Sequence, residues 1–318
     1  MNLDFITVLV NVSILMMLGI PGYAFRKNKM IGEGGAKPLV VLLIYVTQPF
    51  LIIMSFQSKK YTPDILSSIG AVFFMSVAIH IVLLLAGRLV FNKRLCSDKA
   101  KRGVFIFASA FSNCGYMGIP VIRALFGSSP LLSEMLIYVS VYIAVFNIVN
   151  WTVGIYIISG EKKYMSVKNA LINPITFSLL IAVPLFFSGV SVEDFSPSLA
   201  DAFKMLGDMT TPLSMTILGI KLAEMPLREI FNEKPVYLSV FIKLILMPLI
   251  MLAALNLFFG AAGGAIKYTL AISAAMPVAT ITVANAERFG GDGKTAAKCM
   301  LCSTILSVVT IPLICLLL

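Results

Sequence analysis

Apolar runs recur from one end of the chain to the other, with only short polar connections between them. A bilayer core about 30 Å thick is crossed by about 20 helical residues, and the runs have that length. The ruler predicts ten spans, near 4–25, 38–57, 64–88, 103–126, 131–158, 167–188, 198–221, 235–259, 266–287 and 295–317. With 59% hydrophobic and 13% charged residues, the chain lacks the charge that a soluble surface of this size needs. The expected fold class is therefore an all-α polytopic membrane protein. The start, Met1 to Asp4, has no basic region and leads into a run of spanning length, so no cleavable signal peptide is expected.

The net charge is +10, but the basic residues stand in short clusters between the runs. That pattern reports topology and gives no reason to expect a nucleic-acid partner. With both termini outside, 19 Lys and Arg fall on the inner side, 5 on the outer side, and Lys243 within a span. A bias of this size predicts an N-out, C-out protein of the cell membrane. Cys299 and Cys302 have metal-like spacing without a second pair to complete a site, so neither a metal nor a cofactor is expected.

A shift of 163 residues superposes Pro21 on Pro184 and Thr47-x-Pro49 on Thr210-x-Pro212. It also superposes Phe126-Gly127 on Phe289-Gly290, and each match joins spans of corresponding rank. The chain thus reads as two five-span halves, residues 1–160 and 161–318. Five is odd, so the second half enters the membrane from the opposite side, as in inverted-repeat transporters.

The fourth span contains "FSNCGYMGIP", Phe111 to Pro120, and the ninth contains "AAMPVATITV", Ala274 to Val283. Both are interrupted where hydrocarbon would surround them. Broken backbone at that depth is tolerated only where protein buries it or a water-filled cavity bathes it. Two such helices crossing at the centre would aim half-helix N-termini at a common point, which favours an anion. Gly115 and Gly118 admit a close approach, Pro120 starts the second half-helix, and Asn113 can donate to a carboxylate. Pro277 interrupts the partner helix, where Thr280, Thr282 and Asn285 offer polar groups. The candidate substrate-binding set is Asn113, Cys114, Gly115, Tyr116, Gly118, Pro120, Met276, Pro277, Ala279, Thr280 and Asn285.

The stretch "SNCGYMGIPVIRALFG", Ser112 to Gly127, resembles the signature of the auxin efflux carrier family. That family includes plant PIN exporters and bacterial malate and malonate permeases, and its architecture is similar to that of bile-acid/sodium symporters and sodium/proton antiporters. The resemblance implies an elevator-type carrier. Spans 1, 2, 6 and 7 would form the scaffold; spans 3–5 and 8–10 would move. It carries binding roles onto Asn113, Cys114, Gly115, Pro120 and Pro277. The long cytoplasmic loop of many plant members is missing, since Glu161 to Lys168 is a minimal connection.

Three ionisable residues inside spans are candidates for coupling or charge balance: His80, Lys243 and Asp208. The same shift places His80 on Lys243. His80 could relay protons, and Lys243 could balance a carboxylate or replace a coupling cation. Alternatively, Lys243 snorkels to the inner face and His80 bonds a backbone carbonyl. Asp208 could accept a coupling ion or bond the neighbouring Thr210 and Thr211. Thr47, Gln48 and Pro49, with Thr210 and Pro212, are the scaffold candidates. Asn11, Asn147, Asn150 and Asn173 read as interhelical hydrogen-bonding residues.

These features predict a secondary carrier of small organic anions, mono- or dicarboxylates of malate or auxin type. Protons or sodium are the candidate coupling ions, and a homodimer through the scaffold is one assembly open to it. The alternatives are a cation-coupled symporter of a bile-acid-like amphipathic acid, or an anion channel. One histidine and no paired catalytic carboxylates argue against an intramembrane enzyme.

Overall fold

The structure, a computed structural model, describes residues 3–259 and 264–318. In chain order its main helices are α1 (Phe5–Lys27), α2 (Ala36–Gln57) and α3 (Pro63–Val90), then α4 (Lys99–Ala110) and α5 (Cys114–Phe126). Next come α6 (Leu132–Ser159) and α7 (Lys162–Ser188), followed by α8 (Pro197–Asp208) and α9 (Thr210–Ala223). The last four are α10 (Lys234–Phe258), α11 (Gly264–Ala275), α12 (Ile281–Phe289) and α13 (Gly293–Cys315). Seven of these, namely α1, α2, α3, α6, α7, α10 and α13, are long and apolar enough to cross a bilayer. The protein is therefore an all-helical, multi-pass membrane protein. The three other segments expected to span are helical but interrupted: α4–α5, α8–α9 and α11–α12.

Helix starts follow local chemistry. Asp4, Thr62, Asp98 and Asp292 cap α1, α3, α4 and α13 with side-chain oxygens, accepting first-turn N–H groups that have no intrahelical acceptor. Inside the spans, proline sets the geometry. Wide π-type turns at 43–47, 114–118 and 242–246 each end two residues before a proline: Pro49, Pro120 and Pro248. A proline ring collides with the carbonyl one turn earlier, and widening that turn opens room for it. Thr47 Oγ1 donates to the Leu43 carbonyl at 3.3 Å inside the first of these turns.

The core lies around α6 and α13, with α1, α3 and α7 more exposed at the periphery. At one end of the bundle, Glu233 accepts from Lys101 of α4 and Lys298 of α13, both at 3.0 Å, tying two helices to the start of α10. Partial burial pushes the Glu233 carboxyl up, but the hydrogen bonds from Lys298 and Lys101 outweigh it and hold the pKa below the usual value.

The second half of α1 crosses α9 with backbone in contact. A methyl group on Gly219 would overlap the Gly19 carbonyl oxygen, and one on Gly22 would overlap the Thr216 carbonyl. Such small-residue crossings let helices pack by van der Waals contact where lipid removes the hydrophobic drive. Backbone cannot retreat as a side chain can. Gly219→Val should therefore lower the melting midpoint in detergent by about 5 °C or more, as overpacking of this kind predicts. Gly70→Ala in α3, where a Cβ meets nothing within 4 Å, should leave the midpoint unchanged or raised. Equal midpoints for Gly219→Val and the parent would refute the tight crossing.

Candidate substrate-binding site

Between α4 and α5 the chain runs extended through Phe111 and Ser112; between α11 and α12 it does so through Pro277 and Val278. The two breaks lie side by side, with Ser112 and Val278 paired antiparallel. Asn113 N–H donates to the Pro277 carbonyl at 2.8 Å, and Ala279 N–H donates to the Phe111 carbonyl at 3.0 Å. Val278 N–H, pointing the other way, donates to Ser303 Oγ of α13 at 2.9 Å. Three N–H groups freed by the breaks, those of Asn113, Val278 and Ala279, are thus met by the other break or by one serine. Four helix ends converge here: the C-termini of α4 and α11, and the N-termini of α5 and α12. The first amides of α5 and α12 have no intrahelical acceptor, and their dipoles place positive ends at the crossing.

Beside the crossing lies a cavity of about 90 Å³. Six of the expected binding residues line it: Asn113, Cys114, Gly115, Tyr116, Ala279 and Thr280. Asn113 is 4% exposed, and its Nδ2 has no partner; neither has Thr280 Oγ1. Gln48, expected as a scaffold residue, reaches across from α2, and its Nε2 donates to the Gly115 carbonyl at 3.0 Å. The remaining Gln48 oxygen is unpartnered. Among the described residues, no charged side chain lines the cavity.

The other five expected residues are not in its lining. Gly118 faces Met276, a packed contact behind the crossing. Pro277 supplies the bridging carbonyl, and Pro120 lies beyond the wide turn at the start of α5. Asn285 Nδ2 donates to Asn150 Oδ1 at 2.7 Å, an α12–α6 tie. Conversely, Asn147 and Asn173 line the cavity while bonding each other at 3.1 Å. The interhelical bond was legible as a habit of buried asparagine; the cavity was not, because it is made by α6, α7 and the crossing together. α7 is interrupted at Ile172–Asn173, and the restart at Pro174, where Asn173 Oδ1 caps Ile175 N–H at 2.9 Å, is the local signal that places Asn173 at a helix end.

His80 and Lys243 are both fully buried. His80 Nδ1 lies 2.6 Å from the Ser76 carbonyl, its ring packs against Phe111 and Tyr142, and Nε2 has no partner. Lys243 does not snorkel. Its Nζ donates to the Ala274 carbonyl at 2.8 Å and contacts Met247 Sδ at 3.1 Å. Ala274 belongs to the last turn of α11, so the amine sits at a helix C-terminus, where positive charge is favoured. Asp208 bonds neither Thr210 nor Thr211; Arg123 of α5 donates to its carboxylate at 2.6 Å. Unlike Thr47, Thr210 leaves its buried hydroxyl without a partner.

The family model described as membrane transport protein matches the chain in two segments, residues 4–170 and 163–315. The chain is 26% identical over 303 residues to an uncharacterized transporter of Methanothermobacter thermautotrophicus, covering 94% of each chain. It is 24% identical over 220 residues to an uncharacterized transporter of Methanocaldococcus jannaschii, covering 68% of this chain and 70% of that one.

The unpartnered Asn113 amide generates a prediction. Asn113→Ala should weaken binding of a small carboxylate used as a test ligand about ten-fold, the order expected for one lost hydrogen bond to a charged group. The melting midpoint should change little, because Asn113 joins the bridge through its backbone. Unchanged affinity in monodisperse protein would remove the side chain from the site.

Proposed function

Because the chain belongs to the membrane transport protein family of auxin efflux carriers, we propose that it is a secondary carrier of small organic anions, mono- or dicarboxylates. The observation that carries this reading is the pair of half-helix N-termini meeting at a cavity lined by amides and a hydroxyl. Donors without fixed charge suit a carboxylate that must be bound and then released. A volume of about 90 Å³ favours a small acid over a bile-acid-sized one, since drug-sized ligands occupy about 300 Å³ or more. Membership of a transport family points away from catalysis.

The reading counts ten crossings, taking the three interrupted segments as spans, in two inverted halves at 1–160 and 161–318. Supporting it, His80 packs on Phe111 while Lys243 bonds Ala274, and the 163-residue shift relates both partners of the two pairs. The charge split supports an N-out, C-out protein of the cell membrane. Lys243 takes the place of a coupling metal cation, its amine resting on the Ala274 carbonyl at the end of α11. Coupling then falls to protons or to membrane potential.

In this scheme α1, α2 and α7–α9 form the scaffold, through which two copies could dimerise, and the other helices carry the site past it. A second cavity, about 310 Å³, lies on the side assigned as outer and is lined by Arg123 and Asp208. Leu51 of α2 lines that vestibule and Gln48 the central cavity, so one helical turn separates the two. A wall this continuous favours a carrier over a channel. The Arg123–Asp208 pair joins the moving bundle to the scaffold.

Two tests follow. Purified protein in proteoliposomes, given a panel of mono- and dicarboxylates, should show saturable uptake and countertransport that are equal in sodium and potassium media. Lys243→Met should lower the rate about ten-fold or more, because an amine at this depth is normally functional. Strict sodium dependence of the parent would remove the surrogate-cation role but leave the carrier reading; transport of none of the acids would overturn the carrier reading.

The second test joins Arg123→Cys and Asp208→Cys with a membrane-impermeant bifunctional thiol reagent in oriented vesicles. Reagent added outside should crosslink the pair and stop transport while leaving carboxylate affinity within about two-fold, because the site lies away from the link. Reaction only from the inner side would reverse the topology. Full transport after verified crosslinking would replace sliding with local gating.

A further inference from the structure

A third cavity, about 500 Å³, opens at the end of α3, between α3, the start of α4 and the end of α6. Four cations line it: Arg88, Lys93, Lys99 and Arg102. Among the described residues no carboxylate lines it, and none of the four forms an ion pair. The contrast is with the nearby Lys101 and Lys298, which share Glu233. Arg102 donates to the Cys96 carbonyl at 3.0 Å, which fixes one edge of the cavity. Asp98, the nearest acid in sequence, is occupied by capping the Ala100 and Lys101 amides.

The depth of this cavity identifies the water–lipid boundary. α3 has 28 residues, about 42 Å at 1.5 Å per residue, which is the bilayer including its headgroups. Arg88, in the last turn of α3, therefore lies at headgroup level. A stripe of apolar side chains leads from it into the hydrocarbon. Ile81, Leu85 and Leu89 are 50%, 58% and 77% exposed and follow one another at helical spacing on α3. A ligand matching both features carries a phosphate at the cavity and acyl chains along the stripe.

We propose that this cavity binds the phosphate of an anionic phospholipid, in the leaflet that the basic connections face. Basic pockets between membrane helices recognise such headgroups, each cation adding attraction to a negative surface. The phosphate lies among the Arg88, Lys93 and Lys99 side chains, and the chains lie on Ile81, Leu85 and Leu89. The stripe selects a lipid over free phosphate, which needs no apolar neighbour. This site is separate from the crossing and does not depend on which acid is carried.

The test is native mass spectrometry of the purified full chain with phosphatidylglycerol or phosphatidylcholine at equal concentration. The parent should retain phosphatidylglycerol preferentially. The triple variant Arg88→Gln/Lys93→Gln/Lys99→Gln should lose that preference about ten-fold or more. The single variants Lys93→Gln and Lys99→Gln, on exposed side chains, should each show a partial loss and serve if the triple variant does not fold. Lys27→Gln/Lys29→Gln, at another basic connection, should bind as the parent does. Undiminished preference in folded variants would overturn the proposal. So would binding of inorganic phosphate or pyrophosphate with no preference between the lipids, which would assign the pocket to a soluble anion.

Discussion

Hydrocarbon offers a peptide group nothing to bond with, and each group left unpaired there costs several kcal/mol. Two breaks in one membrane protein would be prohibitive apart. Together they satisfy much of each other: Asn113 N–H meets the Pro277 carbonyl and Ala279 N–H meets the Phe111 carbonyl, while Ser303 takes the Val278 N–H. The crossing is therefore a condition for either break to exist. It also decides where the cavity lies, because the half-helix ends that cannot be satisfied internally are brought to the same place. Losing the register of the bridge would unpair both segments at once.

Much of this was legible in the sequence, because the bilayer imposes a length. The expected spans near 38–57, 64–88 and 131–158 correspond to Ala36–Gln57, Pro63–Val90 and Leu132–Ser159. The breaks fall where Asn113, the glycines and Pro277 signalled them. The prolines at 49, 120 and 248 explain their own wide turns, since the collision they relieve is local. Asp208 was less legible. Its neighbours Thr210 and Thr211 were the obvious partners, yet Arg123, 85 residues away, takes it. Likewise Asn285 looked like a ligand and instead ties α12 to Asn150. A short-range pattern shows that a buried polar group needs a partner, but the choice of partner is made by packing.

Gln48 shows how a residue can belong to two descriptions. Its place beside Pro49 marked it as part of the α2 bend, and its side chain reaches Gly115 across the cavity. A Cβ on Gly115 would stand 2.9 Å from Gln48 Nε2, so the missing side chain makes room for that amide. The glycine admits a neighbour from α2 as well as any ligand. In the proposed sliding scheme this contact crosses the moving boundary, as Arg123–Asp208 does nearer the outer end. One bond to a neutral amide and one to an exposed carboxylate are weak enough to be exchanged. In the same scheme the backbone bridge and the Lys101–Glu233–Lys298 cluster would both lie within the moving part.

Charge balance follows from the same geometry. A helix terminus carries about half an elementary charge, so two N-termini at the cavity oppose roughly one carboxylate without any cationic side chain. The corresponding negative ends, at α4 and α11, stand behind them. At α11 the Lys243 amine rests on Ala274 O. At α4 the equivalent position holds His80, bonded to Ser76 O beside Phe111, with Nε2 still free. The Lys243 amine thus meets an α11 carbonyl directly, whereas the His80 ring bonds within α3 and reaches the end of α4 only by packing on Phe111. Neither His80 nor Lys243 is among the residues that line the cavity. In the proposed carrier both residues would therefore act through the two breaks and not by contact with the bound anion.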